Sequence, residues 1–119
     1  MSKLDLTLIR ETLMNEQVTL AADIQIEQDK LQHYIEENPD PFDLADKRLH
    51  QEIIVNRLGN MEERLLQVTV ALKRLDEGLY GICARCGHDI NPERLKVIPY
   101  ATLCVNCQER LERDNLGKM

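Results

Sequence analysis

Apolar residues recur along most of this chain at alternating steps of four and three. The clearest run is Ile54, Leu58, Met61, Leu65, Val68, Leu72 and Leu75, which steps 4, 3, 4, 3, 4, 3. That is the a/d pattern of a helix with one apolar seam, packed against another helix. The spacing predicts a helix over 41–77. Gly59 inside it costs about 1 kcal/mol relative to Ala, and Asp76-Glu77-Gly78 ends it, with Gly78 as the left-handed C-cap residue. Residues 3–37 predict an earlier helix, because the span holds no Gly or Pro. Leu6, Leu13 and Leu20 repeat every seven residues with Ile9 between the first two. Ile24 and Leu31 then take the alternate seam position, and Tyr34 and Ile35 close the stripe. Glu16, Asp23 and Glu27 interrupt it, which predicts imperfect packing or a local shift near Leu20 to Ile24. Ser2 with Asp5 is a capping signal at its start.

The stretch between the two patterns is Asn38-Pro39-Asp40-Pro41-Phe42-Asp43-Leu44-Ala45-Asp46. Pro39 disfavours helical geometry in Asn38 and cannot extend the ladder, so the first helix stops there. A second starts at once, with Asp40 as N-cap, Pro41 in the first helical position and Asp43 in the first turn. Two helices of similar length joined by a short turn lie antiparallel. Counting outward from the turn sets Leu4 to Leu8 level with Leu72 to Leu75, and Leu20 roughly level with Met61. At ~1.5 Å per residue such a hairpin is a rod of roughly 50 Å. A rod that thin buries little and needs something to hold its base.

Residues 79–119 supply it. Cys83-Ala84-Arg85-Cys86 and Cys104-Val105-Asn106-Cys107 form a C-x2-C-x17-C-x2-C arrangement. Two residues between thiolates let both sulfurs face one metal, and two such knuckles complete a tetrahedral shell. Gly87 lets the backbone turn tightly after Cys86. All four positions are filled by protein, so the site is a closed structural zinc site, one ion per chain, with no place for a catalytic water. Asn91-Pro92-Glu93-Arg94 reads as an N-cap and one helical turn. Gln108 to Asn115 reads as a short terminal helix with Leu111 as its inward contact. The predicted fold is thus all-α dominated. A long antiparallel coiled-coil hairpin occupies 1–78 with an acidic tip at 38–46, and a four-cysteine zinc module with a terminal helix occupies 79–119.

Composition narrows the function. Net charge is -6 and aromatics are 3% of 119 residues. From Tyr80 onward there are six basic and five acidic side chains, and four thiolates with one zinc ion add -2. Phosphate neutralisation and base stacking are both poorly served, so direct nucleic-acid binding is not expected. An acidic chain is better suited to a basic protein surface. The first ten residues form no signal-peptide core, and the longest aliphatic run, Ile53-Ile54-Val55, spans no membrane. Paired cysteines without an export signal point to metal rather than disulfides and to the cytoplasm. No Ser-His-Asp set or phosphate-cradling loop supports an enzyme. His33, His50 and His88 read as solvated side chains.

The tip has a sufficient local explanation, since Asp40 caps a helix and Asp43 favours its dipole. Three features exceed it. Glu36 and Glu37 put negative charge at a helix C-terminus, where the dipole disfavours it. Phe42, the one Phe, stands in a turn. A long rod with a small tip is a shape for reaching into a cleft.

Asp40-Pro41-Phe42-Asp43-Leu44-Ala45 resembles the D-x-x-D-x-A coiled-coil tip of the DksA/TraR family. Gly81 to Gly87, Arg94-Leu95 and Leu103 to Cys107 resemble that family's four-cysteine finger. The resemblance covers essentially the whole chain. It implies a bacterial transcription factor that binds RNA polymerase rather than DNA. Such factors insert the coiled coil into the secondary channel and alter open-complex lifetime, often together with ppGpp. Asp40, Asp43 and Ala45 would then be the tip determinants, and Cys83, Cys86, Cys104 and Cys107 the zinc ligands. The chain is shorter at its N-terminus than the longer family members. Gln67, Ile98 and Gln108 stand at positions aligned with their ppGpp-contacting cations, so little ppGpp synergy is expected. A transcript-cleavage stimulator of the Gre kind is a second reading, its tip carboxylates helping to hold a metal at the polymerase active site. Gre factors lack the four-cysteine finger, and Ala45 fits DksA better. A zinc-stabilised adaptor or thiol sensor is a third.

Overall fold

The computed structural model describes residues 3–36 and 44–117, with side chains described over 5–34 and 46–115. Four helices follow in order: α1 (Lys3–Glu36), α2 (Leu44–Asp76), α3 (Pro92–Val97) and α4 (Val105–Gly117). The only β-type pairing among the described residues is an isolated antiparallel bridge between Ile82 and Asp89. The fold is all-α, two long helices paired antiparallel and followed by a four-cysteine module. The predicted stop at Asn38, the Asp40 cap and the Pro41 start lie outside the described residues. No helix among those described is long and apolar enough to cross a membrane. By packing, the chain forms two compact units, residues 16–66 and residues 1–15 with 67–119.

In the 16–66 unit the facing helices bury Leu20 and Ile24 from α1 and Leu58 from α2. Two cross-helix contacts give the register. Tyr34 stacks on His50, ring centroids 5.8 Å apart. Arg57 Nη1 reaches the Glu27 carboxylate at 3.4 and 3.5 Å. Glu27 lies seven residues before Tyr34, and Arg57 seven after His50, so the two contacts are successive layers of one antiparallel pairing. A third step of seven brings Leu20 level with Arg64, three residues beyond the expected Met61. Counting outward from the turn placed this partner only roughly, because the count depends on how many residues the turn takes up. Nor does Glu27 loosen the packing. It is 7% exposed, and its carboxylate takes Arg57 from the facing helix and Lys30 from its own, the latter at 3.4 Å.

Gly59 has no packing role in this unit. A Cβ built there meets nothing within 4 Å. Gly59→Ala is expected to stabilise the chain by about 1 kcal/mol through helix propensity alone. On a domain of this size that raises the melting temperature by roughly 4–8 °C. A thermal melt followed by circular dichroism checks it, and no rise would mean that Gly59 serves a purpose in the folded chain.

In the other unit, Leu13 of α1 and Val68, Ala71 and Leu75 of α2 are buried. Arg10 pairs with Asp76 across the two helices. The C-terminus of α2 closes as the sequence predicts. Gly78 has φ 75, its N–H donates to the Leu75 carbonyl at 3.2 Å, and the Leu79 N–H donates to Arg74 at 2.8 Å. These are the two bonds of a Schellman motif, and they satisfy carbonyls the helix leaves open. Arg74 then donates forward to the carbonyl of Ile82 at 2.8 Å, which ties the helix end to the chain entering the cysteine module.

Candidate metal centre

The first knuckle is a tight turn built on its own backbone. The Cys83 N–H donates to His88 at 2.8 Å, and the Gly87 N–H returns to Cys83 at 3.0 Å. Gly87 makes that return at φ 77, a conformation that costs a residue with a Cβ. The second knuckle opens α4. Cys104 precedes it, Cys107 lies in its first turn, and the Gln108 N–H donates to the Cys104 carbonyl at 2.9 Å. Between the knuckles, Asn91 caps α3 by accepting from the Glu93 N–H at 3.0 Å, with Pro92 at the first helical position. This extends the predicted single turn to six residues and points Leu95 inward.

Three further hydrogen bonds join these pieces. The Ala84 N–H donates to Thr102 at 2.8 Å. The Tyr80 hydroxyl donates to Pro99 at 2.8 Å, and Arg94 Nε to Leu103 at 3.2 Å. Burial raises the Tyr80 phenol above its ordinary value, so it remains a donor at neutral pH. All three acceptors are backbone carbonyls eight or more residues away, which no local spacing announces.

The result is a small core in which Cys83, Ile90, Leu95 and Cys107 are buried, with Tyr80, Ala101, Leu103 and Cys104 packed against it. All four cysteine sulfurs lie within 4.8 Å of one another, and those of Cys86 and Cys104 are 3.8 Å apart. A tetrahedron of Zn–S bonds of ~2.3 Å has edges of roughly 3.8 Å, so the donor set fits one zinc ion. The electrostatics fit as well. Burial raises the Cys83 thiol, but backbone N–H groups of Cys86, Cys104 and Arg85 and the Cys86 thiol outweigh it and bring it down to about 5. Burial pushes Cys107 up to about 12, and the three neighbouring sulfurs add to the rise. Without a cation the Cys83 thiolate forms easily, while Cys86 and Cys107 resist. A divalent ion among them removes that conflict.

Leu111 does not turn inward as predicted; it is 40% exposed. The buried core of the module ends with Cys107, and Leu111, one turn further along α4, is not part of it. That part of α4 is held instead by an exposed pair, Arg85 with Asp114 at 3.8 Å, worth little in water. Of the tip positions, Asp40 and Asp43 lie outside the described residues, and Ala45 falls in the first turn of α2. The His88 side chain is exposed and is not among the clustered ligand atoms.

The fold and the sulfur cluster define a helical protein with a closed four-thiolate zinc centre. Residues 78–113 match the family described as the prokaryotic dksA/traR C4-type zinc finger. An uncharacterized protein of Aquifex aeolicus is 30% identical over 109 residues, which cover 89% of this chain and 75% of that one. The RNA polymerase-binding transcription factor DksA of Caulobacter vibrioides is 31% identical over 83 residues, 70% of this chain and 58% of that protein. The solved structure of transcription factor DksA2 from Pseudomonas aeruginosa superposes with a TM-score of 0.80 at 28% identity, covering 96% of this chain and 88% of that one. The chain belongs to the DksA/TraR family, and its four cysteines are positioned to hold one structural zinc ion.

Proposed function

We propose that this protein is a non-catalytic, cytoplasmic regulator of bacterial transcription. It binds RNA polymerase, inserts the turn between its two long helices into the secondary channel, and changes the stability of promoter open complexes. The observation that carries the reading is the match to transcription factor DksA2 over 96% of the chain, with an RNA polymerase-binding DksA among its sequence relatives. Cys83, Cys86, Cys104 and Cys107 are the zinc ligands, and their module holds the base of the hairpin. Asp40, Asp43 and Ala45 are the tip determinants at the polymerase active centre. A net charge of -6 suits a partner surface that is basic, and it disfavours direct contact with DNA. Gln67, Ile98 and Gln108 offer no cation to a polyanionic nucleotide, so the effect proceeds without ppGpp binding through those positions.

The test is single-round transcription by bacterial RNA polymerase from a promoter with a short-lived open complex. Wild-type protein is expected to inhibit, equally with and without ppGpp, and Asp43→Asn to lose that inhibition while still binding the polymerase. No effect from wild-type protein would overturn the reading. Strong potentiation by ppGpp would overturn its nucleotide-independent part.

A further inference from the structure

A buried carboxylate stands in the apolar seam of the 16–66 unit, and nothing in the zinc centre or the tip uses it. Glu27 is buried between α1 and α2. Its two cations carry different information. Lys30 is on the same helix and moves with Glu27 whatever the pairing. Arg57 is on the facing helix, 3.4 Å away, so that contact depends on how the two helices are paired.

The slips open to this hairpin are the ones its apolar seam tolerates. Moving α2 by three residues one way sets Glu27 level with Ile54, the pairing that counting outward from the turn suggests. Moving it four the other way sets Glu27 level with Met61. Either slip sets an apolar residue against the carboxylate and leaves it buried without its cross-helix cation, whereas a slip of a full heptad would set Arg64 there. An unpaired buried charge is strongly disfavoured, and a single polar group in a seam is a known means of fixing register.

We infer that Glu27 is a positioning residue. Its ion pair with Arg57 selects the observed pairing of α1 and α2 over slips of three or four residues. The register claim stands by itself, while its consequence for transcription rests on the function proposed above.

The structure supplies its own reporter. Tyr34 stacks on His50 one heptad further along the same pairing, and the His50 ring is fixed by its Nδ1 donating to the Asp46 carbonyl at 2.8 Å. Ring-to-ring cross-peaks between Tyr34 and His50, measured by NMR on the zinc-loaded full chain, read the register directly. In the wild type they are expected to form a single set. Glu27→Leu is expected to keep its helical circular dichroism yet weaken those cross-peaks. A second set of resonances should appear, from roughly one molecule in ten or more, the upper range of a minor conformer. Glu27→Arg and Arg57→Glu should each disturb the set, and the double reversal should restore it. A single, full-intensity set in Glu27→Leu would overturn the inference. If that variant fails to fold, the reversal decides: restoration in the double variant supports the register lock, and its absence overturns it. In the transcription assay, inhibition is expected to fall in proportion to the slipped fraction. A slip seen by NMR with no inhibition even from wild type would leave the register assignment intact and remove the proposed function.

Discussion

EDTA at neutral pH, or the substitution Cys107→Ser, takes the chain from one bound zinc to none and unfolds the cysteine module. Cys83 and Cys107 lie in the core of that module, and beyond the sulfurs only Ile90 and Leu95 are fully enclosed, too little apolar surface to hold some forty residues alone. Structural zinc in small modules contributes about 10–16 kcal/mol at neutral pH, far more than the hydrogen bonds of Tyr80, Arg94 and Ala84 at about 1 kcal/mol each. Far-UV circular dichroism should then lose about a fifth of its helical signal, because α3 and α4 hold 6 and 13 helical residues against 34 and 33 in the long helices. The same unfolding should come with acid. In the metal-free cluster Cys83 already has its folded value held at about 5 against an ordinary 9.0, so that thiolate contributes stability that is present above 9 and is lost as pH falls through 5, and zinc bound to it adds to the same preference for the thiolate. Protonation also removes the ligand zinc requires. Metal release measured by a colorimetric chelator should therefore rise steeply as pH falls toward about 5. A module that keeps its amide dispersion after chelation would show that the metal is not what folds it.

The long helices, the Gly78 cap and the cysteine module were legible in the sequence because each depends on local order. A span without Gly or Pro, a 4-3 apolar step, a Gly after a charged pair and a C-x-x-C are all read within one or two turns of chain. What was not legible depends on which residue faces which at long range. Glu27 looked like a flaw in the seam, yet Leu20 and Ile24 remain buried on either side of the predicted shift, because Arg57, thirty residues away, accepts the charge. The same gap explains Met61, whose rough pairing with Leu20 was counted outward from the turn and not read from a contact. Leu111 was read inward because it is the apolar residue of a charged helix, but a helical position buries only where another element reaches it. At the zinc centre the ligands were visible from spacing, whereas the bonds from Tyr80, Arg74 and Arg94 to distant carbonyls were not. The tip carboxylates Asp40 and Asp43 lie outside the described residues, and the transcription assay tests them.

Leu13→Ala is expected to destabilise the chain by about 2–5 kcal/mol, the range for emptying a fully enclosed leucine site. Leu13 is 1% exposed. It is buried in the unit where Val68, Ala71 and Leu75 also lie buried, so the deleted methyls leave a void rather than a solvated notch. Two features place the value toward the upper part of the range. The chain has 3% aromatic residues, so no large ring is at hand to fill the space. The buried neighbours on α2 are carried on a continuous helix that cannot collapse inward by one side chain. Against a total stability on the order of 5–15 kcal/mol for a domain, such a loss moves the urea midpoint far to the left with an unchanged slope. Met14, the next residue, is 51% exposed, and Met14→Ala should shift the midpoint by no more than about 0.5 kcal/mol equivalent. Zinc content separates packing from metal binding: Leu13→Ala should retain one ion per chain in the folded state. Equal effects from Leu13→Ala and Met14→Ala would mean that the apolar face of α1 is not turned as described.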